Sequence, residues 1–317
     1  MTTVILADIG GTYARFARVE NNAPAKARKL AVADYETLEE ALLAYTGHPV
    51  ADGILYIATA AWPYPDGTWR FARPDRWEMT TESLERAGWA VGWIGNDFGA
   101  GARGALAAGP EYRYEVQSAR PQEIIQRRSV VLGSGTGLGL AYVEGMSVQE
   151  TYGGHMAIPQ CTDEQHTVIK LIRRLKTDER PVSAEDVISG PGLSLLYKAV
   201  CLLHGQSPDE NIDLAVLLED KGKRIHTHSL RLYHEFLGLF AHQAVIYGHA
   251  YAGLYMDGGV LHRLVEAGAF DHDVFLRFFV GDPLPLIKKQ MMVMKIEIVT
   301  DPFVTLSGLA EIMNDGT

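Results

Sequence analysis

Apolar residues in this chain change their spacing several times, and each change marks an element. Near the start, TVILADIGGTYARFARVE places two β-rich runs around a polar, glycine-rich break. Thr3–Ala7 and Ala14–Val19 read as strands, joined by Asp8, Ile9, Gly10, Gly11, Thr12 and Tyr13. The same layout returns later in SVVLGSGTGLGLAYVEG, where Ser129–Leu132 and Leu138–Val143 flank Gly133, Ser134, Gly135, Thr136 and Gly137. GILYIATAAW and AVGWIGNDF, between them, read as buried strands that end on polar or turn residues. In the second half the period lengthens. SAEDVISGPGLSLLYKAVCLL predicts a helix that opens with Ser183 and Asp186 at capping-box spacing. SLRLYHEFLGLFAHQAVIYGHAYAG keeps helical spacing over about five turns. GLYMDGGV is a short strand running into a glycine turn and a helix, and IEIVTDP with PFVTLSGLAEIM gives a last strand and a closing helix. Strands alternating with helices predict an α/β chain with mixed sheets. The repeated strand–turn–strand, with no low-complexity linker, points to two lobes with related cores.

Composition narrows the classes. The chain has 317 residues, 47% of them hydrophobic and 21% charged, which is globular and long enough for about two domains. A net charge of −10 argues against a nucleic-acid partner while leaving room for a local anion pocket. The N-terminal MTTVILADIGG has no basic region and too short an apolar run to span a bilayer. The expectation is therefore a cytoplasmic protein with no membrane partner. Cys161 and Cys201 have no metal-binding spacing and read as reduced, buried, structural thiols. His226 with His228, and Asp271 to Asp273, lack a third ligand at usable spacing for zinc.

The two glycine turns carry the first candidate chemistry. Gly10 and Gly11 with Thr12, and Gly133, Gly135 and Gly137 with Thr136, leave consecutive backbone N–H groups unencumbered. Such groups can point at an anion, and a threonine hydroxyl adds a donor. A plain hairpin explains either turn equally well. GxxxxGK[ST] is absent, and GSGTGLG misses the dinucleotide spacing. Asp8, ending the first strand, reads either as a Mg²⁺ ligand acting directly or through water, or as an aspartate bonding its own turn. Asp97, after Asn96 at the end of its strand, stands where α/β folds present chemistry. A carboxylate there can accept the proton of a hydroxyl attacking a phosphoryl group, though an Asx turn is the commoner fate of such a pair.

In order along nearly the whole chain, these segments resemble the bacterial glucokinase family, within the two-lobed hexokinase/actin-like ATPase fold. Asp8 to Thr12 is similar to the family's first phosphate loop, Asn96-Asp97-Phe98 to its Asn-Asp-Phe signature, and Gly133 to Gly139 to its second phosphate loop. Gly153-Gly154-His155 resembles the sugar loop, Ser183-Ala184-Glu185 with Ser189 to Gly192 a further segment, and Gly258-Gly259 the adenosine-side turn. The resemblance implies ATP and Mg²⁺ as cofactors, a hexose as substrate and a homodimer. It implies a small lobe over 1–105, a large lobe over 106–299 and a helix over 300–317 returning to the small lobe. It makes Asp97 the general base on the sugar 6-hydroxyl. Asn96, His155 and Glu185 become sugar-binding residues, Asp8 the metal residue, and the glycines with Thr12 and Thr136 the phosphate cradle.

Several positions depart from the family. Tyr152 stands where the family has glutamate, so a carboxylate acceptor becomes a bulky ring that can stack on a sugar or fill part of its pocket. Tyr13 replaces asparagine, Ala157 an aspartate, Arg73-Pro74 a Thr-Asn pair before Trp77, and Ala241-His242 a Gly-Gly pair. The changes gather on the sugar side and spare the phosphate loops, which favours altered substrate choice over general decay. An ATP-dependent hexose kinase is the expected function, for glucose or for another hexose or amino sugar. A non-catalytic sugar or nucleotide sensor on the same fold is the alternative. The aromatic group Trp62, Tyr64, Trp69 and Trp77 fits either a sugar pocket or a lobe core.

Overall fold

The computed structural model describes residues 2–71, 77–120, 127–220, 222–281 and 284–315. The Arg73-Pro74 departure lies outside the described residues. The chain divides into two compact units, Met1–Gly109 with Asp301–Thr317, and Pro110–Thr300.

The first unit is built on a sheet of β1 (Thr3–Ile9), β2 (Tyr13–Glu20), β3 (Ala23–Ala31), β4 (Gly53–Thr59) and, after three short strands, β8 (Trp89–Asn96). Its order is β3-β2-β1-β4-β8. The β1–β2 and β2–β3 pairs are antiparallel, and the β1–β4 and β4–β8 pairs are parallel. β1 is the central strand, and its last five residues are buried, which is why Val4–Ile9 is nearly continuous in apolar side chains. The short strands β5 (Trp62–Pro63), β6 (Thr68–Arg70) and β7 (Glu78–Thr80) form a separate small sheet. α1 (Leu38–Thr46) and α2 (Thr81–Arg86) precede α3 (Asp97–Ala107), which leaves the end of β8. α3 packs on the C-terminal helix (Val304–Asp315) through small residues. A Cβ on Gly104 would stand 1.8 Å from the Val304 carbonyl oxygen, and one on Gly308 1.8 Å from that of Ala100. This close crossing fixes α3, and with it the residue at its start.

The second unit repeats the scheme with β9 (Arg113–Gln117), β10 (Ser129–Ser134), β11 (Leu138–Glu144), β12 (Ser147–Thr151), β13 (Gly253–Asp257) and β14 (Lys295–Val299). The order is β12-β11-β10-β13-β14-β9, again with two antiparallel pairs on one side of β10 and two parallel pairs on the other, beyond which β9 adds an antiparallel edge. Its helices are α4 (Asp163–Leu175), α5 (Glu185–Ile188), α6 (Gly190–Leu203), α7 (Leu214–Glu219), α8 (Arg224–Gly248), α9 (Gly259–Glu266), α10 (His272–Phe279) and α11 (Pro285–Val293).

Two helices differ from their sequence reading. The helix expected from Ser183 onward is two helices broken at Ser189, which is extended (φ −109°, ψ 178°). Pro191 has no N–H to continue the ladder back to the Val187 carbonyl, and its ring would crowd that carbonyl, so a new helix begins with Pro191 in its first turn. Ser189 Oγ instead caps the new helix by accepting from Gly192 N–H at 3.0 Å. The expected Ser183–Asp186 reciprocity is present, with N–H to carboxylate at 2.8 Å and N–H to hydroxyl at 3.3 Å. The long helix starts at Arg224, earlier than its apolar pattern, and stops at Gly248. His249 is left-handed (φ 51°), and Ala250 N–H reaches the Val245 carbonyl at 2.9 Å, a Schellman ending with histidine in the usual glycine position. Of the two thiols expected to be buried, Cys201 is buried and Cys161 is exposed, since Cys161 sits just before the α4 cap. No described helix is long and apolar enough to cross a membrane.

Candidate active site

In the first unit, β1 delivers Asp8 to the start of the glycine turn. Asp8 is 6% exposed and lies opposite Arg15 in the β1–β2 register, and Arg15 Nη1 donates to its Oδ2 at 2.8 Å. Burial pushes the carboxyl above its ordinary pKa, and the charge and hydrogen bond of Arg15 draw it partly back. The turn beyond is lightly tied. Gly10 N–H donates to the Tyr13 carbonyl at 3.0 Å, and Val32 N–H to that of Thr12 at 3.0 Å. Among the described residues no acceptor engages the backbone N–H of Gly11 or Thr12.

At the end of β8, Asn96 is the N-cap of α3: its Oδ1 accepts from Phe98 N–H at 2.9 Å and Gly99 N–H at 3.2 Å. Its amide oxygen is thereby spent on the helix, which leaves its NH₂ as the group able to meet a ligand. Asp97 is the first helical residue, half-buried, with Oδ1 accepting from Phe98 N–H at 2.8 Å.

The second unit gathers more of the expected residues. Ser134 Oγ donates to the Ile188 carbonyl at 2.7 Å, so the Tyr233 hydroxyl, 2.8 Å away, donates to Ser134. Gly190 N–H donates to the Gly135 carbonyl at 2.7 Å, and Leu138 N–H to Glu185 Oε2 at 2.9 Å. The turn is thus held at its entry, middle and exit by the α5–α6 segment. Gly258 closes the other side with φ 111°, where a Cβ would lie 2.3 Å from the Ser134 carbonyl oxygen. It is the N-cap of α9 and offers no side chain to that helix's first N–H groups. A Cβ on Gly135 would stand 3.9 Å from the Gly259 nitrogen. Gly135 N–H is taken by the Gly137 carbonyl at 3.0 Å, so Thr136 and Gly137 with the α9 N-terminus present the backbone donors side by side, an arrangement suited to phosphate.

The His155 loop hangs from the same turn. Gly153 and Gly154 lie against β11: a Cβ on Gly153 would meet Leu140 Cδ2 at 2.2 Å, and one on Gly154 the Leu138 carbonyl oxygen at 2.0 Å. The two glycines let the loop dock closely on β11. His155 and Tyr152 are exposed, with ring centroids 6.4 Å apart and tilted by 31°. Ala184 N–H donates to the Met156 carbonyl at 2.8 Å and Ile158 N–H to that of Val182 at 3.1 Å, so the strand leaving His155 runs beside the one entering Glu185.

A family model described as Glucokinase matches residues 5–315. The chain belongs to the glucokinase family. It is 29% identical over 287 residues to a glucokinase of Xylella fastidiosa, covering 83% of this chain and 82% of that one. Among solved structures, a glucokinase from an Antarctic psychrotroph is 23% identical with a TM-score of 0.81, covering 99% of both chains. A ROK family glucokinase from Streptomyces griseus, solved in complex with glucose and AMPPNP, is 19% identical with a TM-score of 0.63, covering 98% of each. These likenesses show the hexokinase-type, actin-like ATPase fold.

Departures from the glucokinase pattern have visible surroundings. Tyr152 is 62% exposed, and Tyr13 is exposed beneath Lys29, whose Nζ stands 3.7 Å from the ring centroid. Ala241 is fully buried, and His242 Nδ1 lies 2.6 Å from the Phe279 carbonyl oxygen, tying α8 to α10. The aromatic group splits. Trp77 is core, its Nε1 donating to Tyr35 O at 3.0 Å, whereas Trp62 and Tyr64 are exposed. His226 and His228 do not converge: one lies 3.1 Å from the Asp220 carbonyl oxygen, the other between His204 and Glu164, 2.9 Å from each. Sequence reasoning passed over Arg15, Tyr233 and His262. His262 Nε2 stands 2.7 Å from Asp257 Oδ1 and 2.8 Å from the Val299 carbonyl, at the strand end that precedes Gly258. Burial alone would lower the His262 pKa, but the hydrogen bond and charge of Asp257 outweigh it and raise it. A histidine four residues beyond Gly258, one turn along the helix after a strand-ending aspartate, was the available signal.

Proposed function

We propose that this glucokinase-family protein transfers the γ-phosphoryl group of ATP to the 6-hydroxyl of a hexose, with Asp97 as general base. The observation that carries the reading is Asp97 itself, a carboxylate on the first turn of a helix held by the Gly104–Gly308 crossing and capped by Asn96. The glucose and AMPPNP named for the Streptomyces relative support a sugar and an adenine nucleotide as ligands.

As the hydroxyl oxygen bonds to phosphorus and the bond to ADP breaks, the hydroxyl proton passes to Asp97, a transfer worth ~10²–10⁴-fold in rate. The donors of Thr136, Gly137 and α9 are the groups best suited to the nucleotide's phosphates, and those of Gly11 and Thr12 to charge developing at the transferred group. His155 and the Asn96 amide would bind sugar hydroxyls. Glu185 would hold turn and sugar together, since one of its oxygens is already bonded to Leu138.

Asp8 is the residue that would hold a magnesium ion, directly or through water, while its Oδ2 is bonded to Arg15. When bound, it would neutralise charge on the β- and γ-phosphates.

The test is ADP release from Mg-ATP with glucose, mannose, fructose, glucosamine, N-acetylglucosamine or no sugar. One sugar should stimulate turnover, and Asp97→Ala should reduce kcat about 10²–10⁴-fold with ATP binding retained. If no sugar stimulates release while ATP still binds, the sensor reading replaces this one. Tyr152 bears on which sugar wins: preference for a sugar other than glucose, shifted toward glucose by Tyr152→Glu, would assign selectivity to that ring.

A further inference from the structure

Each glycine turn has a carboxylate beside it, and the two carboxylates are compensated differently. In the first unit Asp8 is bonded to Arg15, whose charge does not depend on pH in the working range. In the second unit the central strand has Gly133 at the corresponding place, and the acid stands on the neighbouring strand. Asp257, the last residue of β13, is the register partner of Gly133 and precedes Gly258, the residue packed on the Ser134 carbonyl. A carboxylate at the edge of a turn suited to phosphate opposes an anionic ligand unless a cation offsets it.

The partner of Asp257 is His262, one turn into α9. Its Nε2 lies 2.7 Å from Asp257 Oδ1 and 2.8 Å from the Val299 carbonyl oxygen. Both are acceptors, so Nε2 carries a hydrogen and donates to the pair. The tether of α9 to β13 and β14 therefore holds whether or not Nδ1 is protonated, and the second proton changes only the charge. Burial would lower the His262 pKa, but the bond and charge of Asp257, the Val299 carbonyl and the charge of Glu266 outweigh it and hold it above 6.5. Asp257 thus faces the ring from β13, a backbone carbonyl from β14 and Glu266 from its own helix, while Gly133 and Ser134 of β10 bring no charge.

We propose that His262 is a charge-compensating residue of the nucleotide site. Protonated, it neutralises Asp257 and favours the nucleotide's phosphates; neutral, it leaves Asp257 to repel them. The inference rests on the nucleotide reading above and adds to it a residue and a sign. With the ring charged the pair is neutral overall, and with the ring neutral it carries one negative charge. Nucleotide affinity therefore falls as pH rises through the folded pKa of His262.

Calorimetric titration with Mg-ATP, without sugar, at pH 6.5 and pH 9 reads the effect. The wild-type Kd should rise about 3–10-fold between them, the effect of one partly screened unit charge. Asp257→Asn removes the charge and keeps an acceptor for Nε2. It should bind at pH 9 as tightly as the wild type does at pH 6.5. His262→Gln can still donate to both acceptors but never gains a charge, and should bind weakly at both pH values. The ligand's own ionisation is common to all three proteins. A ring that only ties α9 in place predicts no gain for Asp257→Asn at pH 9 and a wild-type pH profile in both variants. That result overturns the proposal, and either variant alone decides should the other not fold. Wild-type binding that is equal at the two pH values overturns this inference alone, whereas no ATP binding at either pH overturns the nucleotide reading as well.

Discussion

The two units run the same strand scheme, yet their glycine turns are built differently. Counting back from each hairpin, Asp8 faces Arg15 in one unit where Gly133 faces Gly139 in the other. The first turn thus carries a buried charge and few ties, while the second is uncharged and braced by Ser134, Gly135, Leu138 and Gly258. A braced turn is preorganised to receive phosphate, because its donors are aligned before the ligand arrives. A loosely tied turn beside a carboxylate is better suited to adjusting to a group whose charge changes during reaction. One supersecondary unit, used twice, has been specialised by what packs against it.

The largest expected difference tests the bracing. Gly258→Ala places a Cβ 2.3 Å from backbone oxygen at φ 111°, so the turn must give way. We expect about 2–4 kcal/mol of lost stability and loss of measurable nucleotide binding. Gly10→Ala meets only the Tyr13 oxygen at 3.2 Å and should cost under about 1 kcal/mol. Urea denaturation with nucleotide titration reads both. Equal costs would show that the turns are not braced unequally.

Acid should also separate the units. His234 is 1% exposed, its Nδ1 donating to the Leu230 carbonyl at 2.7 Å and its Nε2 accepting from Asp271 N–H at 3.2 Å. Burial pushes its pKa down from 6.5 to about 4, although the Leu230 bond opposes this. Stability from the neutral ring is present above the unfolded value and is lost as pH falls from 6.5 toward about 4, by up to about 3 kcal/mol. Asp8 has the opposite sign: its raised pKa means that acid relieves a burial cost, so its contribution rises as pH falls through the folded value. Hydrogen exchange at pH 7 and pH 4.5 should show α8 and α10 losing protection before β1 and β2. Parallel loss in both units would contradict this assignment.

The sequence made the strands around both turns legible, since each is an apolar run ended by glycine and threonine. It also set Asn96-Asp97 at the end of a strand, read as an Asx turn or a catalytic carboxylate; that Asn96 caps a helix beginning at Asp97 is what the structure adds. The break at Ser189 had its signal in Ser189-Gly190-Pro191-Gly192, which interrupts the apolar spacing between Ile188 and Leu193 and which the helical reading ran across. What Gly153 and Gly154 are for was not legible. Their need is set by Leu138 and Leu140, residues that only the hairpin brings beneath them. The Glu185–Leu138 bond escaped for the same reason, since it joins a carboxylate to a backbone N–H 47 positions away.

That bond supplies the smallest of the contrasts. Glu185→Ala leaves the partly buried Leu138 N–H without its acceptor at the exit of the second turn, a loss of about 1–3 kcal/mol where water does not replace it. The bonds at Ser134 and Gly135 remain, so the turn should loosen at one end only. Nucleotide affinity should then fall several-fold, and sugar KM should rise more, because the same side chain is expected on the sugar. Glu185→Gln retains an acceptor for Leu138 and should restore nucleotide affinity, with sugar KM remaining high if the carboxylate charge is what the sugar hydroxyls need. A Gln variant that recovers neither would mean that Glu185 holds the turn by its charge, and that the braced turn is less neutral than its glycines suggest.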